Sequence, residues 1–148
     1  MDRLENVDLE GLKNLAERLA KCLKGNEIIL LKGDLGSGKT TFTRYLVGAI
    51  DSSLEDEVNS PTFTIMNVYE GNRFNIYHID LYRAKEFDVS DIVGNGVVII
   101  EWAKEKEFEN VEQPVVILNF SIGDDIDLRN IEIKVKNGDY IKKCIRGD

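Results

Sequence analysis

The amino-acid sequence predicts an α/β fold, one domain with a mainly parallel central sheet, an added antiparallel hairpin and helices on both faces. Three observations carry that expectation. Residues 27–31 and 97–100 are short apolar, β-branched runs of the kind covered on both sides in a parallel sheet. Residues 9–23 and 41–50 carry apolar side chains at helical spacing. The 148 residues, 43% of them hydrophobic, can bury one proper core and match ordinary single-domain size, so the whole span 1–148 is expected to be one domain.

In chain order, the first element is an amphipathic helix over about 8–24. Leu9, Leu12, Leu15, Ala16, Leu19, Ala20 and Leu23 form its stripe, Asp8 is a candidate N-cap and Gly25 a candidate C′ residue. The stripe is too short for sustained heptads and reads as core. The strand 27–31 follows, and then the run Gly33-Asp34-Leu35-Gly36-Ser37-Gly38-Lys39-Thr40, which satisfies the G-x-x-x-x-G-K-[ST] pattern between a strand and a helix. Polyphosphate binds where backbone N–H groups converge, and the glycines admit the φ values and close approach that this needs. The N-terminus of the next helix favours the same anion. Gly36, Ser37 and Gly38 are thus candidate nucleotide contacts. Lys39 supplies a point charge for the β- and γ-phosphates, and the Thr40 hydroxyl is a candidate Mg²⁺ ligand. Thr41 and Thr43 either add hydroxyls near the α-phosphate or are polar residues of the helix's first turns.

Residues 51–59 are acidic and without apolar periodicity, as in a surface loop. Between 62 and 82, two runs rich in Thr, Ile, Val, Tyr and Phe flank Gly71-Asn72, which predicts adjacent antiparallel strands. Residues 84–92 are a short helix or irregular. Gly94-Asn95-Gly96 then breaks the chain before the strand 97–100. Residues 115–120 look buried, and Ile131, Ile133 and Val135 alternate with charged neighbours, as in a strand exposed on one face. Asn137-Gly138 is expected to turn the chain back into 140–145, giving a C-terminal hairpin.

A phosphate-binding loop of this kind generally needs a carboxylate at the end of an apolar strand to hold Mg²⁺ directly or through water. Asp80 and Glu101 occupy two such strand ends. His78, the single histidine, alternates within its strand and reads as a hydrogen-bonded core or sheet-edge residue. Trp102 either stacks at the site and shields it from water or is a buried aromatic anchor, the default for its type. Ser60-Pro61-Thr62 is either a switch that senses the γ-phosphate or a proline-initiated turn. Arg129, by position alone, is either a nucleotide contact or a solvated strand-end arginine.

The balance of 27 acidic against 19 basic side chains, a formal charge of −8, opposes direct binding to a polyanion unless the basic groups cluster. No apolar run approaches the length that crosses a bilayer, and residues 1–10 lack the pattern of a leader, so no membrane and a cytosolic location are expected. Cys22 and Cys144 lie far apart in the chain, outside any metal-ligand spacing, and read as reduced structural thiols.

Four blocks, Gly33 to Phe42, Ser60-Pro61-Thr62-Phe63-Thr64, Tyr77-His78-Ile79-Asp80-Leu81-Tyr82-Arg83 and Ile100-Glu101-Trp102, together resemble the bacterial TsaE family in order and spacing. The resemblance implies a compact α/β domain that binds ATP and Mg²⁺. It also implies slow ATP hydrolysis alone and activity in company with the TsaB and TsaD proteins, in the threonylcarbamoyladenosine modification of tRNA. tRNA would then be met indirectly, through the complex. By the same resemblance Thr40 and Glu101 are the metal-site residues, Asp80 lies at the γ-phosphate, and Thr62 belongs to a switch-like segment that contacts the nucleotide. Lys39, Asp80 and Glu101 are thus the catalytic candidates. Two other readings of the loop are a small-molecule kinase, which needs an acceptor pocket and an arginine-bearing lid, and a scaffold that ATP merely shapes. Lys134, Lys136, Lys142, Lys143 and Arg146 form either a solvated strand face or a contact to tRNA or an acidic partner.

Overall fold

A computed structural model describes residues 2–34, 36, 38–58, 66–82 and 87–146. The strands are β1 (Asp2–Val7), β2 (Ile28–Lys32), β3 (Met66–Glu70), β4 (Asn75–Asp80), β5 (Val97–Glu101), β6 (Val115–Ile122) and β7 (Arg129–Lys136). The α-helices are α1 (Leu9–Cys22), α2 (Lys39–Ile50) and α3 (Asp139–Arg146), and 3₁₀ helices span Ser52–Glu57 and Glu105–Phe108. One seven-stranded sheet runs in the order β1-β7-β6-β2-β5-β4-β3. Its middle, β6-β2-β5-β4, is parallel, and antiparallel strands complete both ends.

β2 lies in the centre, with Ile28 to Leu31 fully buried, which is why its run is apolar on both faces. Ile29, Leu31, Ile99 and Leu118 face the stripes of α1, α2 and α3, including Leu12, Leu19, Phe42, Leu46 and Ile141. Ile28, Leu30, Val98, Ile100 and Ile117 face the other way, where Phe108, Val111, Phe87 and Val89 cover them. Among the described residues, the helical cover on that second face is the 3₁₀ helix Glu105–Phe108, while α1, α2 and α3 share the first.

The first helix, the strand after it, the hairpin and the strand over 97–100 stand where the sequence predicts them. Asp8 caps α1, its Oδ1 accepting the Gly11 N–H at 2.8 Å. Gly25 lies two residues past the C-cap Leu23, with φ +116°, rather than at C′. Within the described span 66–82, β3 and β4 pair antiparallel around Gly71-Asn72, with Glu70 opposite Asn75.

Four expectations are corrected. The acidic connector contains the 3₁₀ helix Ser52–Glu57, with Leu54 buried within it and Val58 buried at its C-cap. Residues 140–145 are not a strand but lie within α3, whose Ile141 and Ile145, again four apart, turn together onto the core. β7 therefore pairs with β6 and with the unforeseen edge strand β1 instead of a C-terminal hairpin partner. Cys22 and Cys144 form a disulfide across 122 positions, joining α1 to α3, instead of remaining thiols. The described part of 84–92 is a turn, closed by Ile92 and Val93 N–H groups on the Val89 carbonyl at 3.1 and 3.0 Å. Among the described residues, no helix is long and apolar enough to cross a membrane.

Candidate functional site

β2, β4 and β5 run parallel, so their C-terminal ends meet at one edge of the sheet. The register places Asp80 opposite Glu101, and Leu31 opposite Glu101 on its other side. The chain leaves β2 through Gly33 and Asp34 and enters α2 at Gly38, the helix N-cap. Gly36 and Gly38 have φ of +76° and +107°, left-handed values that favour glycine, which explains the residue type at both positions. Above this edge is a cavity of about 400 Å³ whose lining includes Gly36, Gly38, Lys39, Thr40, Thr41, Asp80, Glu101, Trp102 and Arg129. The lining also includes Val7, Leu9, Leu12 and Ile126, with Asp8 and Asp127 beside them.

Lys39 is only 5% exposed. Its ammonium donates to the Gly33 carbonyl, lies 3.4 Å from the Asp34 carbonyl oxygen, and sits 3.7 Å above the Trp102 ring centre. Burial pushes this ammonium below the ordinary lysine range, against the opposing charges of Glu101, Asp80 and Asp34. Trp102 is half-buried in the cavity wall, not enclosed in the core, with its backbone at φ +65° and its ring 4.9 Å from that of Tyr82.

Glu101 is 2% exposed, and its two oxygens have different neighbours. Oε2 lies 2.6 Å from His78 Nε2, while Oε1 accepts from the Thr40 hydroxyl at 3.4 Å. His78 is buried, as the sequence predicts, and its Nδ1 lies 3.1 Å from the Tyr69 hydroxyl. Asp80 Oδ1 accepts the Tyr82 N–H at 2.9 Å. Thr43 is also buried and donates to the Lys39 carbonyl at 2.9 Å, so it belongs to the helix's own bonding. Arg129 reaches the glycine loop from β7, with Nη2 donating to the Gly36 carbonyl at 3.0 Å and Nη1 to the carbonyls of Leu128, at 3.0 Å, and Ile126.

Lys39, Thr40, Asp80, Glu101 and Arg129 thus converge with Gly36, Gly38 and Thr41 on one cavity. Ser37, Thr62 and the rest of 59–65 lie outside the described residues. The coupling of His78 to Glu101 and the part of the lining from Val7 to Leu12 were not foreseen in the sequence. The first had a signal in the His78-x-Asp80 spacing, which puts both side chains on one face of β4. Among the described residues, no group of three or more His, Cys, Asp or Glu side chains is placed to hold a metal ion. The donors at hand are the hydroxyl of Thr40 and the carboxylate of Glu101. Hard oxygens in small number suit Mg²⁺, which keeps several waters and takes phosphate oxygens from its substrate.

A parallel sheet with a glycine loop leading from β2 into α2, and acids at the neighbouring strand ends, defines the fold class of phosphate-loop α/β domains. Within that class the chain belongs to the TsaE family. The family model described as "Threonylcarbamoyl adenosine biosynthesis protein TsaE" matches residues 7–133. The tRNA threonylcarbamoyladenosine biosynthesis protein TsaE of Aquifex aeolicus is 45% identical over 105 residues, covering 69% of this chain and 79% of that protein. Its namesake in Rickettsia conorii is 39% identical over 101 residues, covering 64% of this chain and 57% of that one. The crystal structure of YdiB from Bacillus subtilis superposes with a TM-score of 0.70 at 26% identity, over 99% of this chain and 92% of YdiB.

Proposed function

We propose that this chain is a Mg²⁺-dependent ATPase that serves the threonylcarbamoyladenosine modification of tRNA in company with the TsaB and TsaD proteins. The observation that carries the reading is the convergence of an ammonium, a threonine hydroxyl and two strand-end carboxylates on a single cavity beside the glycine loop. The loop amides and the N-terminus of α2 bind the phosphates. Lys39 exchanges the Gly33 carbonyl for the β- and γ-phosphate oxygens, a stronger partner for a buried ammonium. Thr40 and Glu101 would hold Mg²⁺, which when bound supplies charge neutralisation at the phosphates. Asp80 accepts a hydrogen bond from the attacking water and orients it towards the γ-phosphate. Arg129 braces the loop through the Gly36 carbonyl and lines the nucleotide's side of the cavity. Thr62 is a further nucleotide contact. Contact with tRNA is indirect, through that complex, and the location is cytoplasmic.

Phosphate release from ATP, measured with and without TsaB and TsaD, tests the reading. Slow release alone and several-fold stimulation by the partners are expected. Release that never exceeds the protein-free rate, with or without partners, would refute it.

A further inference from the structure

His78 is buried and yet bonded at both ring nitrogens. A carboxylate offers only acceptors, whereas a phenol hydroxyl can donate. A neutral imidazole that satisfies both contacts therefore carries its hydrogen on Nε2, towards Glu101, and accepts at Nδ1 from Tyr69. A chain of polar contacts then runs from β3 through β4 and β5 to the first turn of α2. Tyr69 lies 3.1 Å from His78, His78 2.6 Å from Glu101, and Glu101 3.4 Å from Thr40. A buried carboxylate needs such a partner, because an unsatisfied one is costly in the interior. The partner's position has a further consequence. With Oε2 engaged by the ring, Oε1 is the oxygen turned towards the Thr40 hydroxyl.

We infer that His78, steadied by Tyr69, is a positioning residue that fixes the Glu101 carboxylate so that Oε1 and Thr40 Oγ1 face a shared divalent ion. The inference rests on the reading of Thr40 and Glu101 as that ion's protein donors. It assigns a task to a histidine that needs no contact with the nucleotide. Partners that orient a ligating group from behind tune metal affinity by about 10–100-fold in other sites.

The test is calorimetric titration of the full chain with ATP, once in saturating Mg²⁺ and once in EDTA, with the ratio of the two affinities as the readout. In His78→Leu the ratio falls by about tenfold while the affinity in EDTA stays at the wild-type value. In His78→Gln, whose amide can donate near the Nε2 position, most of the ratio returns. In Tyr69→Phe the ratio falls by less than in His78→Leu. A wild-type ratio in His78→Leu, or a loss equal in Mg²⁺ and EDTA, overturns the inference. Should His78→Leu fail to melt cooperatively, Tyr69→Phe decides, and a wild-type ratio there overturns it. No ATP uptake by the wild type in either buffer overturns the proposed function, and this inference with it.

Discussion

The strand ends of β2, β4 and β5 and the flank made by β1, β7 and α3 are held by opposite kinds of contact. At the strand ends, polar groups are buried and bonded mainly to one another, as in the contacts from Tyr69 to Thr40 and the folded-back Lys39. In the flank, the ties are a covalent link, a surface ion pair and one hydrogen bond to a buried carboxylate. The Cys22–Cys144 disulfide links α1 to α3, Arg146 pairs with Asp2 at 3.1 Å, and Tyr140 donates to the buried Glu27 at 2.5 Å. Burial and the Glu27 carboxylate push the Tyr140 hydroxyl above its ordinary range. The difference teaches which polar groups are poised for chemistry. Lys39, Thr40 and Glu101 at the strand ends line a cavity, whereas the groups in the flank close the molecule. Arg129 joins the two regions, since it starts β7 and bonds to the glycine loop.

Four substitutions break or sharpen this contrast. Lys39→Ala has the largest expected effect, a fall of roughly 10²-fold in partner-stimulated phosphate release, comparable to removing one preorganised donor from a transition state. Stopped phosphate assays check it, and near-wild-type release would detach Lys39 from the chemistry. Cys22→Ser is expected to lower stability by about 2–4 kcal/mol in urea melts, because the disulfide closes a long loop. ATP affinity should be retained, and a parallel loss of affinity would dissolve the distinction between flank and site. Arg129→Ala removes a cation from the cavity lining, so ATP binding is expected to weaken by about tenfold, alongside a stability loss of about 1.5–3 kcal/mol from the lost bond to the Gly36 carbonyl. A large stability loss with unchanged binding would return Arg129 to the flank.

The smallest effect is electrostatic. The Lys134 hydrogen bond, with the charges of Lys134, Lys32 and Lys136, holds the Glu105 carboxyl below the ordinary carboxylate range. A depressed folded-state value contributes stability that is present above the ordinary pKa and lost as the pH falls through the depressed one. Glu105→Gln should therefore flatten the acid limb of the stability profile slightly, by less in high salt. An acid limb that matches the wild type in low salt would contradict the assignment.

The same contrast explains what could be read from the sequence. The central strands and the glycine loop announce themselves locally, through apolar runs, glycine spacing and an acid closing β4 and β5. β1 does not, because Asp2-Arg3-Leu4-Glu5-Asn6-Val7 has no period-two apolar pattern and its partner β7 lies at the other end of the chain. α3 was masked by Asn137-Gly138, a good hairpin turn, and by residues such as Tyr140 and Ile141 that also suit strands, although Ile141 and Ile145 are spaced for a helix. The disulfide was hidden because 122 positions of separation carry no pairing information. In the site, Lys39 and Thr40 were legible from the loop pattern. The bond from His78 to Glu101 required the parallel register of β4 and β5, and the reach of Arg129 to Gly36 required the β6–β7 hairpin to swing it over the loop. The basic residues expected together in one hairpin are divided, with Lys134 and Lys136 on β7 beside Glu105 and Lys142, Lys143 and Arg146 on α3.

Titration of the wild-type chain with ATP, in Mg²⁺ and then in EDTA, bears most directly on whether the strand ends form a magnesium–triphosphate site. Saturable uptake that is markedly tighter with Mg²⁺ is the expected result. Uptake indifferent to Mg²⁺, or none at millimolar ATP by folded protein, would contradict it.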